Sequence, residues 1–387
     1  MAGADVTSPP HRSLRGRHLL VLVTEDWYFC MHWMPIAVAA RATGLHVTVA
    51  TRVVAHGELI REAGLDLVPI DLGRSGTNPA RDIATILRLT RLYGRLRPDV
   101  VQHIAVKPVL YGSIAARLAG VPSVVNTVAG LGYVFSSTEL LARVLRPLVA
   151  AGYRMALAPR RHQLVVQNSD DLEFFVRHAG VARERAHVIR GVGVDVERFA
   201  PVPEPDGVPC VLLPARLLLD KGVVEFVAAA RLLRDRGIVA RFAIAGDRDP
   251  QNPGAVSAQQ VDTWSAEGTV VFLGWQRDMA AVLRTAHIIC LPSYREGLPT
   301  ALTEAAACGR PIVTCDVQGC REVVRDGDNG LLVPPRDPVA LADALERLIT
   351  DATLRQRMGI RGRERALVEF STGRIVGETL ALYREAS

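Results

Sequence analysis

Two carboxylates, Glu296 and Glu304, stand eight positions apart in the stretch SYREGLPTALTEAAACGRPIV, residues 293–313. Glu296 precedes a Gly-Leu-Pro turn, and Glu304 falls inside an alanine-rich helix that Pro299 opens. The first amides of a helix have no intrahelical acceptor and its dipole is positive there, so an anion is favoured at the mouth. Thr300 and Glu304 are i and i+4 and share one face. A ligand with a phosphate at the mouth would meet Glu304 one turn along, about 6 Å deeper. A carboxylate at that depth can accept from two vicinal hydroxyls, such as those of a ribose. Glu296, on the loop, would face whatever lies beyond the phosphate. In a simpler reading Glu304 only offsets the helix dipole and Glu296 is solvated. An acid among alanines loses hydration, however, and that loss normally requires a partner.

A second stretch, PARLLLDKG (214–222), carries two cations. A strand ends in Arg216, and Lys221 follows just before a helix. At a strand's carboxyl edge the two suit a diphosphate, the arginine as a planar fork and the lysine as a point charge. Taken alone, the stretch also reads as a surface turn; beside an anion-binding helix mouth the diphosphate reading is the stronger.

These groups need a frame to hold them. Short apolar runs alternate with helical patterns: HLLVLVT (18–24), HVTVAT (46–51), DVVQHI (99–104), SVVNTV (123–128), QLVVQN (163–168) and HVIRGVG (187–193) read as strands. The series restarts with CVLLPAR (210–216), ARFAIAGD (240–247), VVFLG, HIICLPS, PIVTCDV and GLLVPP. Asp337-Pro338 marks a helix start. This order predicts an α/β protein with parallel sheets covered on both faces. The Gly-, Pro- and acid-rich stretch 191–209 reads as a linker. Two doubly wound, Rossmann-like domains facing a central cleft follow, with boundaries at 1–195 and 196–370 and a C-terminal helix, 371–387, that returns to the first domain. In such sheets ligands sit at the carboxyl ends of the strands. No GxGxxG follows the first strand, which weakens a dinucleotide reading.

Composition narrows the function classes. The 387 residues are too many for one ordinary core, and 49% hydrophobic with 22% charged residues suits a globular protein. Six cysteines without CxxC spacing or histidine pairs read as reduced, mostly buried thiols rather than a zinc site or disulfide framework. Residues 1–200 hold 24 Lys and Arg against 16 Asp and Glu, a balance of +8, while the remainder holds 22 against 24, or −2. The first half therefore faces something anionic or membranous. Nucleic acid is not expected, because aromatics total only 5% and no arginine-rich run is interleaved with them. No secretory signal is convincing, and no apolar run is long enough to span a bilayer.

The motifs ARLLLDKGV, FLGWQRDM, LPSYREGLPTALTEAAACGRPIVTCDVQGCREVVRDGDNGLLVPPRDP and GVGVDVERFAP resemble the family-four retaining glycosyltransferases of the GT-B fold. Glu296 and Glu304 match that family's paired glutamates. The stretches 106–135 and QNSDD (167–171) resemble the subset that builds bacterial surface polysaccharides and lipid-linked oligosaccharides. The resemblance implies that Arg216 and Lys221 bind the diphosphate of a nucleotide-sugar, with Gly297, Leu298 and Thr300 completing the phosphate site. It places Glu304 on the ribose, Glu296 on the donor sugar, and the loop beginning Gly274-Trp275 near the base, with UDP favoured. It implies no cofactor and no metal. The sugar would leave through an oxocarbenium-like state, stabilised by the cations and helix amides acting on the departing diphosphate.

On the acceptor side the candidates are His32, His103, Lys107, Tyr111, Gly130 and Gly132. Many relatives place a histidine where this chain has Gln102, and one step along a strand turns His103 to the other face, so local packing competes with a role for it. KPVLYG and TVAGLGYVF read as loops at strand ends, where turn glycines and a solvated lysine are the plainer alternative. The apolar, arginine-bearing segment 138–163, broken or kinked at Pro147, reads either as a buried helix pair or as a dock on an anionic membrane. A lipid-linked or glycan acceptor and a cytoplasmic place, peripheral on the inner face of the plasma membrane, complete the expectation. The rivals are a sugar-nucleotide epimerase of similar fold and a non-catalytic nucleotide-sugar-binding subunit.

Overall fold

The computed structural model describes residues 13–72, 79–129, 140–250 and 252–386, with the backbone alone for 79 and 140–148. The chain divides into two compact units. One comprises residues up to Val166, Asp171–Val192 and Val376 onward; the other comprises Gln167–Asp170 and Gly193–Ile375.

In the first unit the described residues form seven strands: β1 (His18–Glu25), β2 (His46–Arg52), β3 (Asp66–Pro69), β4 (Val100–Ile104), β5 (Ser123–Val128), β6 (His162–Val166) and β7 (Ala186–Val188). They pair in parallel in the order β3-β2-β1-β4-β5-β6-β7. Leu20 and Leu22 of β1, Val101 of β4 and Val124 of β5 are fully or almost fully buried, because helices cover both faces and both side-chain sets must be apolar.

The second unit repeats the pattern with β8 (Cys210–Pro214), β9 (Arg241–Ala245), β10 (Val271–Gly274), β11 (Ile288–Leu291), β12 (Ile312–Cys315) and β13 (Gly330–Val333). The order is β10-β9-β8-β11-β12-β13, parallel throughout. In each sheet the strand order reverses once, between β1 and β4 and between β8 and β11, which opens a crevice at the strands' carboxyl ends. Asp337 caps the helix Pro338–Thr350 as its sequence predicts, its Oδ1 accepting from the amides of Val339 (3.1 Å) and Ala340 (2.9 Å).

Several elements differ from expectation. The short edge strand β3, DLVP, is half exposed and lacks the apolar run that marks its neighbours. KPVLYG is not a loop: the helix Val106–Ala119 includes it, since Pro108 sits in the first turn, where a missing N–H does no harm. HVIRGVG supplies only His187 and Val188 to β7. The helix Leu140–Leu157 runs through Pro147 without a break, anchored beyond it by the buried Tyr153 and Leu157. The C-terminal helix Thr372–Ala386 contributes Tyr383, buried, whose hydroxyl donates to Gln102 Oε1 on β4. Five cysteines are buried and all six are free. Among the described residues no helix is long and apolar enough to cross a membrane.

Candidate active site

The second unit gathers its charged groups at the carboxyl ends of β8 and β11, on either side of the strand-order reversal. Arg216 leaves β8 half exposed, and its Nη1 donates to Asp249 Oδ2 at 2.7 Å. Lys221 closes the short turn Leu219–Lys221, after which Gly222 turns the chain into the helix Val223–Asp235 at φ 70°. A Cβ on Gly222 would stand 2.1 Å from the Pro292 carbonyl oxygen, so only glycine lets the two loops approach this closely.

The approach brings Lys221 Nζ to 2.5 Å from Glu296 Oε1. Ser293 Oγ donates to the same oxygen at 2.8 Å. The backbone of Glu296 and Gly297 is held by two other segments. Gly319, at φ 74°, passes so close that a Cβ would be 2.5 Å from the Gly297 oxygen, and Asn168 Nδ2 donates to that oxygen at 2.9 Å.

The helix Thr300–Ala307 starts at Pro299 with no side-chain cap on its first amides. Its buried flanks are Leu302, Thr303, Ala305, Ala306 and Ala307. Among these Glu304 keeps only part of its exposure, and no hydrogen bond to its carboxylate occurs among the described residues. Burial pushes that carboxyl up to about 7, the charge of Arg198 opposing part of the rise. At the end of β10, Gly274 leads into Trp275, a residue 66% exposed whose amide donates to Asp247 Oδ1 at 3.0 Å. The Asp247 carbonyl also accepts from Leu217 N, which ties this loop to the one carrying Arg216. The structure thus brings Arg216, Lys221, Glu296, Gly297, Leu298, Thr300, Glu304, Gly274 and Trp275 to one edge of one sheet. That edge offers two cations, an uncapped helix mouth and two carboxylates.

The first-unit candidates scatter more. His32 follows β1, with its ring 4.9 Å from that of Tyr28, and burial lowers its pKa. Lys107 and Tyr111 sit in the first turns of the helix after β4; burial and the Asp82 carboxylate push the Tyr111 hydroxyl up to about 12. His103 is placed elsewhere: it is fully buried, Nδ1 lies 2.8 Å from Asn126 Oδ1 and Nε2 3.1 Å from Tyr93 Oη. Burial holds its pKa down to about 3. A Cβ on Gly112 would stand 2.4 Å from Nε2, so the ring is enclosed and is not carried forward as an acceptor-side group. Gly130 and Gly132 lie outside the described residues.

Sequence reasoning passed over Asp26, fully buried at the end of β1. It accepts from the amides of Trp27 (2.8 Å), Val54 (2.8 Å), Ala55 (3.0 Å) and His56 (2.8 Å). Burial alone would raise its pKa; the amides outweigh burial and bring it below the usual value. An acid directly after a buried strand was the available signal. Gly222, Gly319 and Asn168 were likewise missed, since each acts through a contact between distant segments.

Two parallel, doubly wound domains with this second-domain edge define a glycosyltransferase of the GT-B fold. HepE from Anabaena, solved in complex with UDP and glucose, matches with a TM-score of 0.74 over 96% of this chain and 99% of its own, at 18% identity. Sucrose-phosphate synthase from Thermosynechococcus elongatus matches at 0.77 over 95% and 98%, at 20% identity. In sequence, the profile described as "Glycosyl transferase 4-like" matches residues 18–168 and that described as "Glycosyl transferases group 1" matches residues 208–351. The N,N'-diacetylbacillosaminyl-diphospho-undecaprenol alpha-1,3-N-acetylgalactosaminyltransferase of Campylobacter jejuni is 29% identical over 363 residues, covering 90% of this chain and 94% of the relative. The alpha-maltose-1-phosphate synthase of Mycolicibacterium smegmatis is 31% identical over 309 residues, covering 72% and 76%. The chain belongs to the group 1, 4-like glycosyltransferases.

Proposed function

We propose that the chain is a retaining transferase that moves a sugar from a UDP-sugar to a lipid-linked glycan acceptor in bacterial surface polysaccharide synthesis. The observation that carries the donor side is the Lys221–Glu296 contact of 2.5 Å beside the uncapped mouth of Thr300–Ala307. It sets a cation for phosphate and an acid for sugar side by side.

In this reading the diphosphate lies across Arg216, Lys221 and the amides from Gly297 to Thr300. Arg216 exchanges Asp249 for phosphate oxygens, and Lys221 bridges phosphate and Glu296. The ribose hydroxyls donate to Glu304, and Trp275 borders the base. As the bond from the sugar's anomeric carbon to the diphosphate oxygen breaks, charge grows on the leaving group, where preorganised cations and amides act most strongly. The acceptor oxygen forms its bond to the same carbon from the face of departure. Its proton passes to the leaving phosphate, so the anomeric configuration is kept and no protein nucleophile is needed.

A lipid-linked acceptor is supported by the names of relatives. Besides the Campylobacter enzyme, an Escherichia coli UDP-Gal:alpha-D-GlcNAc-diphosphoundecaprenol alpha-1,3-galactosyltransferase is 28% identical over 287 residues. The basic first half and the exposed Arg160 and Arg161 beyond the helix Leu140–Leu157 suit an anionic inner-leaflet surface, with the chain cytoplasmic and peripheral.

The test is a screen of radiolabelled UDP-, GDP- and ADP-sugars, UDP-galactose and UDP-N-acetylgalactosamine among them, with and without a bacterial lipid extract. Transfer predicts nucleotide release that depends on the extract and label in the lipid phase. Turnover without extract would indicate epimerisation, and binding without turnover a sensor; either would overturn the proposal. Lys221→Ala and Arg216→Ala are each expected to lower kcat/KM by roughly 10²–10³-fold. Near-normal rates in either would remove the diphosphate assignment.

A further inference from the structure

Glu296 and Lys221 lie on separate loops, and a third side chain fastens those loops together. Tyr294, two residues before Glu296, donates its backbone N–H to the Asp220 carbonyl at 2.9 Å, immediately before Lys221. Its hydroxyl crosses to the helix that follows Lys221 and donates to Glu225 Oε1 at 2.7 Å. On its ring lies the guanidinium of Arg336, 4.6 Å from the centroid, reaching in from the loop after β13. Arg336 holds φ 62°, a left-handed conformation uncommon for a non-glycine residue. Glu225 Oε2 is buried without a hydrogen-bond partner among the described residues, so the tyrosine hydroxyl is the group that keeps this carboxylate in place. A buried polar atom left unsatisfied in a native structure calls for an explanation, and a positioning role supplies one.

We infer that Tyr294 is a positioning residue for glycosyl transfer: held by Glu225 and Arg336, it fixes the loop of Glu296 against the segment of Lys221 and so sets the 2.5 Å contact between them. The inference rests on the roles proposed for Lys221 and Glu296. Loss of the hydroxyl frees the Glu296 loop to drift by a fraction of an ångström. The drift falls on Glu296 and the sugar it faces: Arg216 and Glu304 sit on other elements, and the segment of Lys221 keeps its own turn, with Lys221 N donating to the Leu218 carbonyl at 3.1 Å. Misplacement of this kind acts on the transition state, not on donor binding.

The test uses the full chain and the donor identified by the screen above. Tyr294→Phe is expected to lower kcat about 10-fold, with donor KM and the affinity for UDP, measured by calorimetry, changed by less than about 2-fold. Glu225→Gln, whose amide oxygen still accepts from the hydroxyl, should keep near-parental kcat, while Glu225→Leu should match Tyr294→Phe. Placed on Glu296→Gln, Tyr294→Phe should bring no further loss, because the group it positions is already gone. A parental kcat in both Tyr294→Phe and Glu225→Leu, or a full further 10-fold loss on the Glu296→Gln background, would overturn the inference. Impaired Lys221→Ala and Glu296→Gln alongside an unimpaired Tyr294→Phe would sink this inference alone. Full activity in Lys221→Ala and Glu296→Gln would sink the site assignment and the inference with it.

Discussion

At the scale of single residues the site turns on what burial does to charge. Glu304 sits among alanines, and its folded pKa of about 7 stands above the 4.5 of an exposed carboxyl. Between those values the folded chain keeps a proton that the unfolded chain has lost. This group's contribution to stability is therefore full below about 4.5 and falls away as pH rises through 7. Glu304→Gln should remove that dependence: measured by urea unfolding, the variant gains on the order of 2 kcal/mol relative to the parent between pH 5 and 8. It should also raise donor KM. In the parent, donor KM should fall as pH rises through about 7, since the ionised carboxylate is the better acceptor for ribose hydroxyls; in the variant it should stay flat. An unchanged KM in a folded variant would place the ribose elsewhere. Glu304 was legible in the sequence because an acid inside an apolar helix breaks a pattern. His103 was ambiguous for the opposite reason: a histidine in a strand is read by its neighbours, and Asn126, Tyr93 and Gly112 are distant in sequence.

At the scale of elements, nearly all the strands were legible, since a parallel strand covered on both faces must be a short apolar run. The half-exposed β3 escaped because its burial is not imposed from two sides. The contacts between loops were not legible at all. Nothing local distinguishes Gly319 from a turn glycine, yet it presses on the Gly297 oxygen with a left-handed backbone. Gly319→Ala is expected to cost roughly 2–3 kcal/mol from strain and collision, read as a lowered Tm. It should also lower kcat/KM more than the change in folded fraction explains, because the Glu296 peptide is what must move. An unaltered Tm and rate would mean that the loop is held by other contacts.

At the scale of the whole molecule the charge imbalance carries the functional argument furthest. The first 200 residues bear +8 and the rest −2, with no spanning helix among the described residues. If the acceptor is presented at an anionic leaflet, the full chain should co-sediment with phosphatidylglycerol vesicles but not with phosphatidylcholine vesicles. Binding should be lost near 0.5 M salt, where the Debye length shrinks to a few ångströms. Equal partition into both vesicle types would contradict an electrostatic dock. The grouping of Gln167–Asp170 with the second unit has no signal in the sequence. Asn168 and the Ser169 amide, which donates to Glu322 Oε1 at 2.9 Å, anchor to residues more than a hundred positions away. Sequence spacing carries no trace of such contacts. The central claim is that a sugar-nucleotide's diphosphate is gripped in the second unit between Lys221, Arg216 and the mouth of Thr300–Ala307. The most direct measurement is a crystal structure of the full chain with UDP bound. The account predicts phosphate oxygens within about 3 Å of Lys221 Nζ and the ribose against Glu304; a diphosphate bound in the first unit, or remote from Lys221, would contradict it.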